Sequence, residues 1–458
     1  MDVTLLPGTT RTLEHLLARE QTSSRLPSVV AGLVRGGRLV WSAAAGSTGV
    51  EAPLDARDTQ YRVGSISKTF VAAAVMRAVE DGLVGLEDPV RAHLPELTDG
   101  VGRVSVGQLL GQAGGVQAET DGPWWERTEG GDWGSLLPIL GASAVRHRPG
   151  TRFHYSNVGF GVLGELVGRV RDSTWRDVVA TQFLLPLGMS RTSMRPQAPA
   201  ARGLAVHPWA DVVLPEPEHD AGAMAPAGQI WSTVADLARW VGVVAGTSPV
   251  LRRDTVEAMW EPQSVDDARG GPWSVGYGLG LQLWNVEGRR HAGHSGSMPG
   301  FVAMLRVDVE TGDAVIALTN STSGFGDLPS RLLSTLATQE PLSPAPWVPR
   351  EVPGDVLELV GPWYWGPTPL VVRATGDGFE LGGMTGRGRA SRFVPAGEPG
   401  TWRGLDNYYA GELLRPVRGA DGTVGHLDLA SFRLTRTPYD PGADVPGGVD
   451  PRGWAPRG

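Results

Sequence analysis

The 458-residue sequence predicts an α/β chain of the α+β kind. An antiparallel sheet flanked by helices, with an all-helical region inserted, is expected to be followed by a small all-β, barrel-like domain. Three observations predict this. Strand patterns open the chain and return from Tyr277, with mostly helical patterns between. The two strand segments are therefore expected to share one sheet, with the helical block inserted. Prolines 341, 344, 346, 349 and 353 then mark a stiff linker over 341–354. Beyond it, short strand-like runs alternate with Gly/Asp turns. The expected units are residues 1–340 and 355–458.

Each element has a local reason. Leu13, Leu16 and Leu17 stand at helical spacing and predict a helix over 10–22. Ser28 to Arg35 reads as a strand, Gly36-Gly37 as a two-residue hairpin turn, and Arg38 to Ala45 as the returning strand. Phe70 to Val79 is apolar all round, which predicts a buried helix ending at Asp81-Gly82. In the middle block, helices are expected at Gly159–Val170 and at Val234–Val244, the latter capped from Ser232-Thr233. Strands are expected at Tyr277–Trp284, Phe301–Val309 and Ala314–Asn320, then a helix at about 327–339. In the last part, Leu370–Ala374, Phe379–Leu381, Tyr408–Leu414, Thr423–Leu429 and Ser431–Thr435 predict a sandwich or small barrel.

Composition removes several function classes. The net charge is −8 and there is no Lys/Arg run, so nothing resembles a nucleic-acid footprint. There is no cysteine, which excludes disulfides, thiol catalysis and cysteine-ligated metal. The first residues, Met1 to Gly8, lack a basic stretch followed by an apolar core. No apolar stretch is long enough to span a bilayer. A cytoplasmic protein without a membrane partner is expected.

The chain has 41 basic residues, of which 40 are arginine and one is Lys68. An arginine cannot give up its proton in a protein, whereas a lysine can if burial or a neighbouring charge lowers its pKa. Lys68 follows Ser65 by three residues at the start of the predicted buried helix, so both side chains leave one face of its first turn. A serine hydroxyl needs a base within hydrogen-bond reach to act as a nucleophile. The backbone N–H of Ser65 would sit at the positive end of the helix dipole, where an oxyanion is stabilised. Two further motifs follow in order, Tyr155-Ser156-Asn157 and His294-Ser295-Gly296. A tyrosine could share the proton, and Asn157 could orient a substrate amide. His-x-Gly occurs twice, also at His291-Ala292-Gly293, so it gains weight only from its place before a strand. Trp124 and Trp125, in a loop running to Trp133, could line an aromatic pocket or pack on one another at the surface; Trp231 carries the same two readings.

These residues resemble the serine β-lactamase and penicillin-binding protein family, most like its class C β-lactamase, D-alanyl-D-alanine carboxypeptidase and esterase branch. The resemblance covers about residues 10–340. It rests on Gly64-Ser65-Ile66-Ser67-Lys68-Thr69-Phe70, Tyr155-Ser156-Asn157-Val158-Gly159-Phe160, Pro186-Leu187-Gly188-Met189, Ser232-Thr233-Val234-Ala235-Asp236-Leu237, Gly276-Tyr277-Gly278-Leu279-Gly280 and the histidine motif. It implies a β-lactamase/transpeptidase-like fold and a serine hydrolase working through an acyl-Ser65 intermediate on an ester, thioester or amide. Lys68 and Tyr155 would be the base system, with either as proton acceptor, and Asn157 would orient the substrate. The backbone N–H groups of Ser65 and Ser297 would form the oxyanion hole, beside Ser295 and Gly296. His294 would stand where the family often has a lysine, and a neutral imidazole would grip a substrate carboxylate less well.

The implied activity needs no cofactor and no metal. Its partner would be a small-molecule or peptide substrate. A second version is a thioesterase or cyclase that releases nonribosomal peptides from a peptidyl carrier protein. A third reading is a catalytically silent binding or scaffold homologue. The β module resembles the lipocalin-like domain that some family members carry. Replacing Lys68 by arginine keeps the charge but removes the ability to deprotonate. Lys68→Arg is therefore expected to lose nearly as much turnover as Lys68→Ala, measured as kcat on an activated ester; an active arginine variant would reduce Lys68 to an electrostatic anchor.

Overall fold

The computed structural model describes residues 4–267, 270–386 and 388–438. The chain divides into two compact units, residues 1–342 and 343–458.

In the first unit, helix α1 (Pro7–Ser23) leads into the hairpin of β1 (Ser28–Arg35) and β2 (Arg38–Gly46). After a single 3-10 turn, Gly64–Ile66, comes α2 (Ser67–Glu80). The inserted block holds α3 (Asn157–Val170) and α4 (Val234–Val244) among short helices and loops. The chain then returns through β3 (Ser264–Val265), β4 (Val275–Tyr277), β5 (Gln282–Val286), β6 (Arg289–Met298), β7 (Phe301–Asp308) and β8 (Ala314–Thr319), and α5 (Leu328–Gln339) closes the unit. The sheet order is β2-β1-β8-β7-β6-β5-β4-β3, with antiparallel neighbours throughout. The first strand pairs with the last, Val30 opposite Leu318 and Gly32 opposite Ile316. That pairing makes the helical block an insertion.

The sheet is covered on both faces, and the two-residue period of a strand explains how. Val30 and Val34 of β1, with Ile316 and Leu318 of β8, join the large core of α2, α3 and α4. Val29, Ala31 and Leu33, with Val315 and Ala317, join a smaller core with Leu13 and Leu17 of α1 and Leu332 and Leu336 of α5. Strands buried on both faces read as continuous apolar runs, as Ser28–Arg35 and Ala314–Thr319 do.

Helix α2 runs through the middle of the large core, with Phe70 to Met76 at most 3% exposed. Phe70 stacks on Trp240 of α4 at 3.9 Å between ring centroids, and the Trp240 indole donates to Thr69 Oγ1 at 2.9 Å. Helix α3 is capped by Ser156, whose hydroxyl accepts from Gly159 N at 2.9 Å. Thr233 caps α4 in the same way, accepting from Asp236 N at 3.1 Å.

Two expectations change in this unit. The single strand expected over Tyr277–Trp284 is two strands, β4 and β5, around a turn that includes Gly278 and Gly280. The histidine motif stands before the expected strand, β7, but itself lies inside a further strand, β6. Local patterning hides β6, because its two arginines, two histidines, two serines and two glycines outnumber its apolar residues.

The second unit is a closed barrel of eight antiparallel strands, each paired with its neighbour in sequence. They are β9 (Gly361–Trp365), β10 (Thr368–Ala374), β11 (Phe379–Gly383), β12 (Ser391–Pro395), β13 (Trp402–Gly404), β14 (Leu413–Arg418), β15 (Val424–Leu429) and β16 (Phe432–Thr435). Closure is made by Tyr364 opposite Thr435, and it removes the free sheet edges. The sandwich alternative is thereby set aside, and β9, β12 and β13 are additional to the runs read from sequence. Trp363, Phe379, Phe393 and Trp402 sit in the barrel's buried cluster. No helix among the described residues is long and apolar enough to cross a membrane.

Trp240 is fully buried between Phe70 and Phe183. Trp240→Ala is expected to destabilise the first unit by about 3–5 kcal/mol through the cavity it leaves. A lowered urea midpoint at unchanged slope is the measurement that checks it.

Candidate active site

Ser65 lies in the 3-10 turn that feeds α2, one turn before Lys68. The Lys68 side chain is fully buried, yet its Nζ has three partners: Ser65 Oγ at 2.9 Å, Asn157 Oδ1 at 2.7 Å and the Ala227 carbonyl at 2.7 Å. Amide and backbone carbonyl oxygens can only accept hydrogen bonds. A neutral amine has two N–H groups and one lone pair. With Asn157 and Ala227 taking both N–H groups, the lone pair is left for the Ser65 hydroxyl, which then donates to Nζ. Burial pushes the Lys68 pKa down to about 7, against the opposing pull of the carboxylates Glu119 and Glu126. The neutral amine is therefore well populated near neutral pH.

Tyr155 reaches the same hydroxyl. It hydrogen-bonds Ser65, and Lys68 Nζ lies 4.9 Å from its ring centroid. Burial raises the phenol above its ordinary range, an effect the Ser65 hydrogen bond only partly offsets. The phenol is consequently protonated at neutral pH. Of the two base candidates the sequence left open, burial lowers the amine and raises the phenol.

Strand β6 closes the site from the other side. Gly64 has φ +54°, and a Cβ there would stand 2.5 Å from Ser297 N. A Cβ on Gly296 would stand 2.0 Å from the Val63 carbonyl and 3.1 Å from Ser65 N. Only two glycines let the turn and the strand approach this closely. The N–H direction alternates along a strand, so Ser297 N points to the same side as Ser295 N. Ser295 N donates to the Gln282 side chain at 2.8 Å, on the β5 side of β6. The β5–β6 ladder ends at Gly293 opposite Gln282. The Ser297 N–H is thus on an open edge, beside the Ser65 turn.

The remaining sequence-predicted residues divide. His294 is fully buried. Its Nδ1–H donates to the Ser295 carbonyl, so Nε2 accepts from the Tyr277 hydroxyl at 2.9 Å. Burial, and then the charge of Lys68, push its pKa down to about 3. His294 is a neutral wall of the site, 6.1 Å from the Tyr155 ring between centroids. The Ser295 hydroxyl is turned to Gln282 Oε1 at 2.9 Å and fastens strand β5 to β6. Asn157 is the first residue of α3 and not its cap, which leaves its amide free for Lys68.

Trp125 is buried, and its indole donates to Glu119 Oε2 at 2.6 Å. Trp124 is 59% exposed, bonded to Glu126 and stacked under Arg127. Trp231 is buried edge-on against Phe301 at 5.1 Å and lines a cavity of about 310 Å³ with Arg62, Glu216 and Glu218. Sequence reading missed Glu119 and Gln112, whose side-chain oxygen accepts from Ser156 N at 2.8 Å. Each acts across more than ten residues of chain, and neither belongs to a short motif that could have signalled it.

A family model described as Beta-lactamase matches residues 11–339. The chain belongs to the Beta-lactamase family. A second model, a domain of unknown function (DUF7586), matches residues 352–436. Penicillin-binding protein 4 of Amycolatopsis lactamdurans is 27% identical over 338 residues, covering 66% of this chain and 84% of that protein. Protein flp of Staphylococcus aureus is 19% identical over 322 residues, and the match spans 68% of this chain but only 63% of that protein's length. Among solved structures, the octameric penicillin-binding protein homologue from Pyrococcus abyssi superposes with a TM-score of 0.63 at 21% identity, covering 93% of this chain and 99% of that one. The D-amino acid amidase from Ochrobactrum anthropi SV3 does so at 0.61 and 20% identity, covering 72% and 99%.

Within this family fold, the close passage of Gly296 over the Ser65 turn has a measurable consequence. Gly296→Ala is expected to lower kcat/KM by about 100-fold, since displacing a catalytic group by about 1 Å costs that much. Circular dichroism and a thermal melt alongside the kinetics separate this from unfolding.

Proposed function

We propose that this protein is a serine hydrolase that cleaves an amide or ester through an acyl-Ser65 intermediate, with Lys68 as general base. The observation that carries the reading is the three-way bonding of Lys68, which leaves the amine lone pair for Ser65 Oγ 2.9 Å away. Lys68 takes the Ser65 proton as Oγ attacks the acyl carbon. The proton then passes to the leaving group, and Tyr155, within hydrogen-bond reach of Ser65, is placed to relay it. The N–H groups of Ser65 and Ser297 stabilise the oxyanion. Water releases the acyl group by the same path in reverse.

The surroundings favour certain substrates. At the strand position of the family lysine stands His294, which is neutral, and the charges acting on Lys68 come from Glu119 and Glu126. A substrate carboxylate next to the scissile bond would gain little there. An uncharged amide or ester fits this better than a penicillin or a peptide with a free terminal carboxylate. The D-amino acid amidase among the structural neighbours supports the same substrate class. Release of a peptidyl thioester uses the same acyl-enzyme chemistry and stays within the reading as its carrier-protein version.

The expected pH dependence follows from the sign of the Lys68 shift. Below about pH 7 the amine is protonated and has no lone pair for Ser65; above it the amine is neutral. The kcat/KM for an uncharged p-nitrophenyl ester or an amino-acid amide is expected to rise with pH through about 7, and to exceed that for nitrocefin or a dipeptide acid. Peptidyl thioesters belong in the same panel. A fluorophosphonate is expected to label Ser65, seen by mass spectrometry, and no adduct on Ser65 would sink the hydrolase reading.

A further inference from the structure

This inference rests on the reading of Ser65 as nucleophile and Lys68 as its base. We propose that Glu119 is a positioning residue for the reaction, acting through Asn157 to keep the lone pair of Lys68 directed at Ser65. Asn157 presents Oδ1 to Lys68 Nζ at 2.7 Å and Nδ2 to Glu119 Oε1 at 2.7 Å. An ionised carboxylate can only accept, so Nδ2 must face it and Oδ1 must face the lysine. Were the amide turned over, Nδ2 would point at Lys68. It would then donate to the neutral amine and occupy the lone pair that the Ser65 proton needs.

Glu119 is well placed to enforce one orientation. Its second oxygen accepts from the Trp125 indole at 2.6 Å, so the carboxylate is held at both ends. Its own backbone carbonyl accepts from the Gln117 side chain at 3.0 Å. The Asn157 backbone N–H donates to the Ala118 carbonyl at 2.8 Å, tying the start of α3 to the same segment. Glu119, Asn157, Lys68 and Ser65 form one chain of hydrogen bonds, each link between 2.7 and 2.9 Å.

The charge of Glu119 acts in the same place. Facing Lys68 are Glu119 and Glu126 from the loop, Tyr155 ahead of α3 and His294 on β6. The tyrosine and histidine are neutral, so the two carboxylates alone oppose the effect of burial on the amine. Removing the charge at 119 should make Lys68 easier to deprotonate while leaving Asn157 free to turn. The two effects have opposite signatures. The acid limb of the pH profile moves down, and the plateau falls.

The test is the pH dependence of kcat/KM for Glu119→Gln and Glu119→Asp on an activated ester, with wild type and Ser65→Ala as controls. For Glu119→Gln we expect a plateau lowered by about tenfold or more, with an acid limb displaced to lower pH by about half a unit or more. For Glu119→Asp, which keeps the charge but shortens the reach to Asn157, we expect a lowered plateau with the limb unmoved. A Glu119→Gln enzyme with wild-type plateau and limb overturns the inference, and so does a lowered plateau whose limb stays in place. If Glu119→Gln does not fold, Glu119→Asp decides alone, a wild-type plateau overturning the inference. An active Ser65→Ala control would overturn the underlying reading instead, so the two failures are distinct.

Discussion

A buried amine is the constraint on which the site depends. Lys68 sits inside an apolar helix at the centre of the larger core, where a charged ammonium is costly and a neutral amine is tolerated if its N–H groups are satisfied. Asn157 Oδ1 and the Ala227 carbonyl satisfy both. Packing that excludes water from α2 thus lowers the proton affinity of this amine, and in the proposed reaction the same packing directs its lone pair at Ser65. An arginine could do neither, which accounts for one lysine in a chain that otherwise uses arginine.

The fold supplies the partners from distant parts of the chain. Ser65 and Lys68 come from the turn into α2, Asn157 from the first residue of α3, Ala227 from a 3-10 segment and Ser297 from strand β6. The antiparallel pairing of β1 with β8 holds the two ends of the unit in one sheet, leaving the helical block to fold over one face. Glycines at 64 and 296 then allow the strand to pass in backbone contact with the Ser65 turn. A side chain at either position would separate Ser297 N from Ser65.

The neutral members of the site matter as much as the reactive ones. His294 lies on the strand that faces Ser65, but its two ring nitrogens are committed to the Ser295 carbonyl and the Tyr277 hydroxyl. Its burial suppresses protonation. In the proposed reaction it shapes the wall beside Tyr155 and adds no positive charge there. At Lys68 burial dominates, opposed by the carboxylates of Glu119 and Glu126 on the loop that carries Trp124 and Trp125.

Much of this protein was legible in its residues. The β1–β2 hairpin, α2, α4 and α5 follow from local patterning, since apolar period and capping act within a few residues of chain. Ser65 and Lys68 stand out because helical spacing of i and i+3 places them on one face. Strand β6 was not legible, because polar residues and glycine outnumber its apolar ones, and neither were β9, β12 and β13, short strands whose pairing with their neighbours in the barrel sets them. Glu119 carries no motif, and its meaning comes from Asn157, 38 residues on. The sequence by itself determined which groups can react and the local elements that carry them. The tertiary structure alone shows that burial lowers the Lys68 amine and raises the Tyr155 phenol, that burial suppresses protonation of His294, and which way the Asn157 amide faces. Those properties depend on burial and on contacts between distant segments, and neither exists until the chain has folded.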